Sequence, residues 1–130
     1  MNQPTDGREQ AGPVLQPGAE NRIERDVDES LLTTHVGGRG VFSTPAMIGL
    51  MEWCSHGAVA PLLPEGFTTV GFEVCVRHLA ATEPGGHVTV RSRLVKVDGR
   101  KLFFDVECHE GDKLCGSGTH RRVVVPAWPR

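Results

Sequence analysis

A lone carboxylate in an apolar stretch is the first residue of this sequence that could do chemistry. Between Pro45 and Leu63 the only formally charged residue is Glu52. Removing a carboxylate from water is costly unless the group is paired or protonated. Glu52 is therefore expected either to form a structural ion pair or face a solvated edge, or to act as a catalytic carboxylate, as general base or nucleophile.

Thr44 is the second candidate because of its spacing from Glu52. Eight residues separate the two, a little over two helical turns, so in a helix their side chains would share roughly one face. Thr44 also suits a helix N-cap, with Pro45 in the first turn. A helix N-terminus favours developing negative charge. Thr44 is thus predicted to cap the helix. Capping is either its only role, or Thr44 also belongs to a reactive site.

The segment Val70–His78 supplies two further candidates. Alternation puts His78 at the end of an apolar row, where it is either a satisfied core histidine or an acid/base partner of Glu52. Gly71 interrupts the strand and marks a bulge or the close approach of a ligand, whose carbonyl its amide could bind. The residues predicted to share the apolar face are Phe72, Val74, Val76 and His78.

A late pair of arginines and a glycine-rich loop complete the set. Arg121 and Arg122 would alternate faces of a strand, and one of them could pair with Glu52 or meet an anionic substrate group, or both could be solvated. The loop His35–Gly40 is either a plain connector or a mobile flap over a site, with Gly38 as a candidate substrate contact.

The helix that must position Thr44 and Glu52 is marked by its flanks and composition. Pro45 opens it, Pro61 and Pro64 end it, and the residues between are apolar on nearly every side. A helix of this kind is expected to be buried all round.

The rest of the chain reads as an antiparallel sheet. Residues rich in Val, Thr, Phe and Leu alternate with polar ones, and turn signals such as Asp98-Gly99 separate them. A sheet that follows one buried helix must wrap around it, which is the α+β hotdog fold. The predicted strands are Phe67–Ala80, Gly86–Asp98, Lys101–Glu110 and Lys113–Val125.

The amino-terminal residues differ in composition from the rest. Residues 1–20 are rich in Gly, Pro, Gln and charge, and are predicted to be a flexible tail whose only bulky apolar residues are Val14 and Leu15. The hotdog domain is expected to span residues 21–130. Residues 22–33 fit an exposed edge strand or an irregular lead-in.

Overall composition excludes several classes of protein. A net charge of -2 offers no basic surface for nucleic acid or for an anionic membrane. The start of the chain lacks the apolar stretch of a secretory signal, and no window reaches the roughly 18 apolar residues of a membrane span. The four cysteines form no CxxC pair. Because a secretory signal is also missing, they are expected to be reduced thiols in a cytoplasmic protein.

A zinc site is the other chemistry that the residue types permit. Cys108, His109, Cys115 and His120 offer four candidate ligands within thirteen positions. Their spacings match no familiar zinc finger, and the adjacent Cys108 and His109 would face opposite sides of a strand. The sequence therefore predicts no metal.

Three segments carry a resemblance to a known family. The runs VFSTPAMIGLMEW, TTVGFEVCVRHLAATEPGG and GSGTHRRVVV are similar, in order and spacing over about residues 40–125, to the hotdog thioesterases typified by fluoroacetyl-CoA thioesterase. The resemblance implies hydrolysis of an acyl thioester without a cofactor, in a homodimer with its active sites at the subunit interface. It also implies catalytic roles for Thr44, Glu52 and His78, a carbonyl contact at Gly71 and charge balance by Arg122.

One departure from the family pattern narrows the expected substrate. The fluoroacetyl-specific member closes its pocket with phenylalanines a few residues before the threonine, whereas His35–Gly38 contains no aromatic ring other than histidine. The expectation is therefore a thioesterase acting on an acyl-CoA or acyl-carrier thioester of unspecified acyl group. The alternatives are a hydratase or dehydratase on the same fold, and a non-catalytic binder of acyl thioesters or small hydrophobic acids.

Overall fold

The computed structural model describes residues 15–129, which form one α+β unit. The elements are β1 (Glu20–Asp26), β2 (Leu32–Thr33), β3 (Val41–Phe42), α1 (Thr44–Val59), β4 (Phe67–His78), β5 (His87–Asp98), β6 (Lys101–Glu110) and β7 (Lys113–Pro126). Five antiparallel strands form the main sheet in the order β1-β5-β6-β7-β4, and the two short strands β2 and β3 pair with each other. Single 3-10 turns lie at Glu29–Leu31 and Ala60–Leu62.

The sheet wraps one face of α1, as the hotdog prediction requires. Met47, Met51 and Cys54 of the helix are buried among apolar side chains of the sheet. Buried residues alternate with less buried ones along most of β5 and β6 and in the second half of β7, as expected for one covered face. The buried sheet residues include Val88, Val90, Leu94, Leu102, Phe104, Val106, Cys108, Cys115 and Val124.

The prediction that α1 is buried on every side is wrong for the single chain. Gly49 is exposed, and Trp53 has 69% of its surface exposed on the side of the helix turned away from the sheet. The sheet ends at the edge strand β4 and does not reach around the helix. An apolar helix face and a strand edge are therefore left open side by side.

The cap of α1 is Ser43 and not Thr44, contrary to the prediction. Ser43 has an extended backbone, and its Oγ accepts a hydrogen bond from the backbone N–H of Ala46 at 3.1 Å. Thr44 is the first helical residue and Pro45 follows it. The Thr44 hydroxyl is therefore available for another partner.

Strand β4 contains a bulge that changes its alternation. The register against β7 shifts between Gly71 and Glu73, and Phe72 is 49% exposed instead of sharing the inner face. The prediction for Phe72 is wrong because the bulge adds one residue to the strand. Beyond the bulge the alternation is as predicted, with the half-buried residues being Val74, Val76 and His78.

Part of the predicted amino-terminal tail contacts the sheet. Residues 1–14 of the expected tail lie outside the described residues. Leu15 is only 3% exposed, and Gly18 and Ala19 exchange backbone hydrogen bonds with Leu94. These contacts extend the pairing of β1 with β5 toward the amino terminus, and the domain bounds stay a prediction.

In the described part of the chain, no helix is long and apolar enough to cross a membrane.

Candidate active site

Thr44 and His78 meet where the start of α1 faces the end of β4. Thr44 Oγ1 lies 2.8 Å from His78 Nδ1, and the Phe42 ring contacts His78 edge-on at 5.9 Å between centroids. Burial lowers the pKa of His78, which favours its neutral ring. His78 Nε2 is buried, and among the described residues it has no hydrogen-bond partner. His78 Nε2 is therefore the atom of this pair whose hydrogen-bonding capacity remains unused among the described residues.

A cavity of about 330 Å³ opens over this pair. His35 and Val36 of the glycine-rich loop contribute to its wall. Gly38 follows two residues later with φ +60°, in the left-handed region that favours glycine. Its role as a substrate contact stays a prediction. Besides Thr44 and His78, the lining consists of Thr33, His35, Val36, Val41, Phe42, Ser43, Leu79, Ala80 and Ala81.

Glu52 lies in a second cluster, around Gly71. A Cβ atom built on Gly71 would stand 3.0 Å from Glu52 Oε2, 3.2 Å from Arg122 Nη1 and 2.9 Å from His120 Cε1. The distance to His120 is shorter than real Cβ atoms show and the other two are unusually tight, so glycine at this position makes room for the three side chains. The carboxylate and the guanidinium thus approach the same small volume beside the β4 backbone.

Arg122 is held rigidly although it is a charged residue. It is 8% exposed, its Nε donates to Thr69 Oγ1 at 2.8 Å, and its Nη2 donates to the Thr69 carbonyl oxygen at 3.0 Å. Burial lowers the pKa of Arg122, and the nearby Glu52 charge opposes that effect. A guanidinium stays charged in proteins, so Arg122 provides a fixed positive charge beside the carboxylate.

Three polar residues of this cluster are absent from the sequence-based prediction. Arg122 Nη1 contacts His120 Nε2 at 3.1 Å, and His56 Nδ1 lies 2.7 Å from Thr69 Oγ1. Each of these residues lies in the sequence at a spacing that puts it on the same face as a predicted site residue. Thr69 stands two residues before Gly71, His120 stands two before Arg122 on a strand face, and His56 follows Glu52 by one helical turn.

The Glu52 cluster lines a cavity of about 470 Å³ on the open side of the helix. Trp53 and His56 form part of its wall, with their rings 5.9 Å apart and tilted by 33°. Burial, followed by the Arg122 charge, lowers the pKa of His56. The remaining lining residues are Gly49, Thr68, Thr69, Val70, Gly71 and Arg122.

The predicted catalytic set is therefore divided within one chain. Thr44 and His78 line one cavity, and Glu52 lines the other together with Gly71 and Arg122. Thr44 and Glu52 are eight residues apart on the helix, which separates their Cα atoms by about 12 Å along its axis. Within one chain, neither cavity brings the Glu52 carboxylate together with His78.

The candidate zinc ligands are placed in other surroundings. Cys108 is fully buried, and burial raises the pKa of its thiol to about 12. Its neighbour His109 faces the Glu107 carboxylate at 3.7 Å. Among the described residues, no group of three or more His, Cys, Asp or Glu side chains is arranged to hold a metal ion.

Comparison with known proteins identifies relatives with this fold. The model of the family described as "FlK: Fluoroacetyl-CoA-specific thioesterase" matches residues 27–127. A curated fluoroacetyl-CoA thioesterase from Streptantibioticus cattleyicolor is 48% identical over 85 residues, which are 65% of this chain and 61% of that protein. The matched part thus spans less than two thirds of the length of that relative.

Solved structures agree with this comparison. A structure of the fluoroacetyl-CoA thioesterase FlK has a TM-score of 0.79 at 37% identity, covering 86% of this chain and 89% of that chain. A thioesterase superfamily member from Thermus thermophilus has a TM-score of 0.78 at 30% identity, covering 85% and 84%. The family match covers residues 27–127, which include every candidate site residue named above, and this chain belongs to the fluoroacetyl-CoA-specific thioesterase family.

Proposed function

We propose that this protein is a thioesterase that hydrolyses an acyl-CoA or acyl-carrier thioester to the free acid and the thiol. The observation that carries the proposal is the Glu52 carboxylate, held beside the Gly71 backbone and the Arg122 guanidinium at the wall of a cavity. Family membership supports the same reaction class. The absence of phenylalanine from the loop at His35–Gly38, where Val36 is 58% exposed, supports a broader acyl preference than fluoroacetyl.

The working enzyme in this proposal is a homodimer joined along β4. This edge strand is twelve residues long, and the open surface beside it carries exposed apolar side chains. An open edge of this kind invites pairing with another strand, and an isologous dimer would bury it against its own copy. The exposed apolar residues are Trp53 at 69%, Val70 at 44% and Phe72 at 49%.

The positions of the two half-sites favour a two-fold axis across this edge. Ile48 lies midway between Thr44 and Glu52 on α1, and residues 74 and 75 lie midway between Gly71 and His78 on β4. A two-fold axis through both midpoints would place the first end of each element beside the opposite end of the same element in the partner chain. Each Thr44–His78 pair would then face the Glu52 cluster of the other chain. Gly49, exposed and without a side chain, permits the close approach of the two helices.

The chemistry follows from the groups brought together. The thioester carbonyl binds the Gly71 N–H, and the start of the facing α1 favours the charge that develops on the carbonyl oxygen. Glu52 either removes a proton from the attacking water or attacks the carbonyl itself to form an anhydride that water then opens. In both routes the C–S bond breaks, and the acid and the thiol are released.

His78 and Thr44 serve the leaving group in this scheme. When the Thr44 hydroxyl donates to His78 Nδ1, the neutral ring carries its proton on Nε2, a buried atom that has no hydrogen-bond partner within residues 15–129. That proton stabilises the departing thiolate. Arg122 balances the charge of Glu52 throughout.

We place this activity in the cytoplasm, where the four free cysteines would remain reduced.

A panel of acyl-CoA thioesters tests the proposal by the release of free thiol. The wild-type protein and the Glu52→Gln variant are each assayed with CoA thioesters of short, branched and aromatic acyl groups. Thiol release that depends on Glu52 supports hydrolysis. Turnover of an unsaturated or 3-hydroxy thioester without thiol release would indicate a hydratase or dehydratase instead. Saturable binding without any turnover across the panel would indicate a binding protein.

A further inference from the structure

His120 lies inside the sheet at the point where β4 is irregular. It is 1% exposed, pairs in register with Val74, and stacks on Phe104 with 6.3 Å between ring centroids. Its Cε1 is 2.9 Å from the position that a Cβ of Gly71 would occupy. The imidazole therefore touches both the bulge and the site around Glu52.

The partners of His120 determine which nitrogen carries its proton. Nδ1 lies 2.8 Å from the backbone oxygen of Glu73, which can only accept, so Nδ1 is the donor. Nε2 lies 3.1 Å from Arg122 Nη1, which can only donate, so Nε2 is the acceptor. Only the neutral Nδ1–H tautomer satisfies both contacts. Burial, the largest influence, lowers the pKa of His120 and favours this neutral form.

These two contacts restrain two different parts of the site. The bulge between Gly71 and Glu73 disrupts the ladder with β7, and a disrupted ladder needs other hydrogen-bond partners. The bond to the Glu73 carbonyl supplies one at the end of the bulge, two residues after Gly71. The second contact holds one arm of the Arg122 guanidinium, while Thr69 holds the other two nitrogens.

We propose that His120 is a positioning residue that fixes the Gly71 amide and the Arg122 guanidinium at the same time. It touches neither the thioester nor water in the scheme above. It acts through the bulge on one side and through Arg122 on the other. The kinetic consequence of this proposal rests on the proposed hydrolysis, whereas its structural consequence does not.

Two substitutions separate the two contacts. His120→Asn keeps an amide N–H near the position of Nδ1, facing Glu73, and removes the acceptor for Arg122. His120→Gln places a carbonyl oxygen near the position of Nε2, facing Arg122, and removes the donor to the bulge. The matched control is His109→Asn, a histidine on the neighbouring strand β6 whose contact is with the side chain of Glu107.

Hydrogen exchange of β4 provides the first readout and needs no substrate. We expect His120→Gln to speed amide exchange in a peptide that spans residues 69–76, and His120→Asn and the control to leave it near the wild-type rate. Equal exchange in both His120 variants would overturn the role in the bulge. Because this measurement does not depend on turnover, it separates a failure of this inference from a failure of the proposed hydrolysis.

Steady-state kinetics provide the second readout. Each His120 variant is expected to lower kcat by about tenfold, with KM changed by less than about twofold, as for the loss of a contact that matters in the transition state. In combination with Arg122→Lys, His120→Asn should add little further loss, because both changes release the same guanidinium contact. His120→Gln with Arg122→Lys should give losses that multiply. Loss of activity only in proportion to the unfolded fraction, measured by thermal melting, would show a merely structural role.

Discussion

The hydroxyl of Thr44 and Nδ1 of His78 lie 2.8 Å apart, and they do so without Glu52, which lines a separate cavity on the same helix. The residues that we propose for thioester hydrolysis lie in two separate halves of one chain. In the proposed dimer, the two halves meet across the open edge of β4.

Mixing two inactive variants tests whether the site is shared between subunits. Glu52→Gln and His78→Gln should each lower kcat/KM by about 100-fold or more, because each removes a proton-transfer group. A refolded equal mixture should recover roughly a quarter of wild-type activity, since half of the dimers are mixed and each of these has one complete site. Activity is measured by thiol release. A mixture no more active than its components would place the whole site within one chain.

Aspartate substitutions on two exposed surfaces test the dimer itself. Phe72→Asp puts a charge on the open edge of β4 and should shift the protein toward monomer in sedimentation velocity, with loss of activity. Val95→Asp is the matched control, because Val95 is a 40% exposed apolar residue on β5, which is an interior strand of the sheet. The dimer interpretation fails if both variants sediment like the wild type.

The neighbouring hydroxyls of Ser43 and Thr44 are expected to have separable effects. Ser43→Ala removes the helix cap and should lower the free energy of unfolding by about 1 kcal/mol, with kcat retained. Thr44→Val removes the bond to His78 and should lower kcat by about tenfold or more, with little change in stability. Thr44→Ser should restore most of the activity. Chemical denaturation and thiol release on the same preparations distinguish the two effects.

Alanine at position 71 is expected to disturb the reactive cluster. Its Cβ would come within 3.0 Å of Glu52 Oε2 and closer still to His120, so one of these groups has to move. We expect Gly71→Ala to lower kcat strongly while the protein still melts cooperatively. Wild-type kinetics in this variant would contradict the assignment of the Gly71 backbone to the thioester carbonyl.

The stability of the β1 edge should depend on pH through His87. His87 is hydrogen-bonded to Asp26 and Glu24, and these bonds raise its pKa above the ordinary value of 6.5. The contribution is therefore complete below pH 6.5 and is lost as the pH rises through the raised pKa. The bond from His87 also lowers the pKa of Glu24 from 4.5, so the carboxylate keeps its charge in the folded protein below pH 4.5.

Thermal melting of wild type and His87→Gln across this range provides the measurement. The Tm difference should be largest between pH 4.5 and 6.5 and should shrink toward alkaline pH. A difference that stays constant with pH would rule out the charged bridge as its source.

Much of the fold follows from local patterns in the sequence. The alternation of residues and turns such as Asp98-Gly99 predicted the four long strands within two residues at each end, because both signals act between near neighbours. Gly71 indicates a bulge as one of two alternatives, but the alternation assumes one residue per position along the ladder and therefore assigns Phe72 to the wrong face. The cap was misassigned because Ser43 and Thr44 are both good caps, and backbone geometry decides between them.

The sequence names candidate site residues but does not predict that they lie in two separate cavities. Periodicity reports the direction in which a helical side chain points, so Thr44 and Glu52 were expected on one face. It does not bring them together, because two turns of helix lie between them. The proposed role of His120 depends largely on the bulge in the neighbouring strand β4, which the residues around His120 in sequence do not reveal; its two-residue spacing from Arg122 is the one local signal.

The cap at Ser43 has a consequence for how this protein can vary. Since the Ser43 hydroxyl caps the helix and the Thr44 hydroxyl meets the histidine, the cap does not constrain the choice of residue 44. Under the proposed mechanism, a change at position 44 alters reactivity and a change at position 43 alters stability, each with little effect on the other. Two adjacent residues would then act as independent controls, one over the lifetime of the fold and one over the rate of the chemistry.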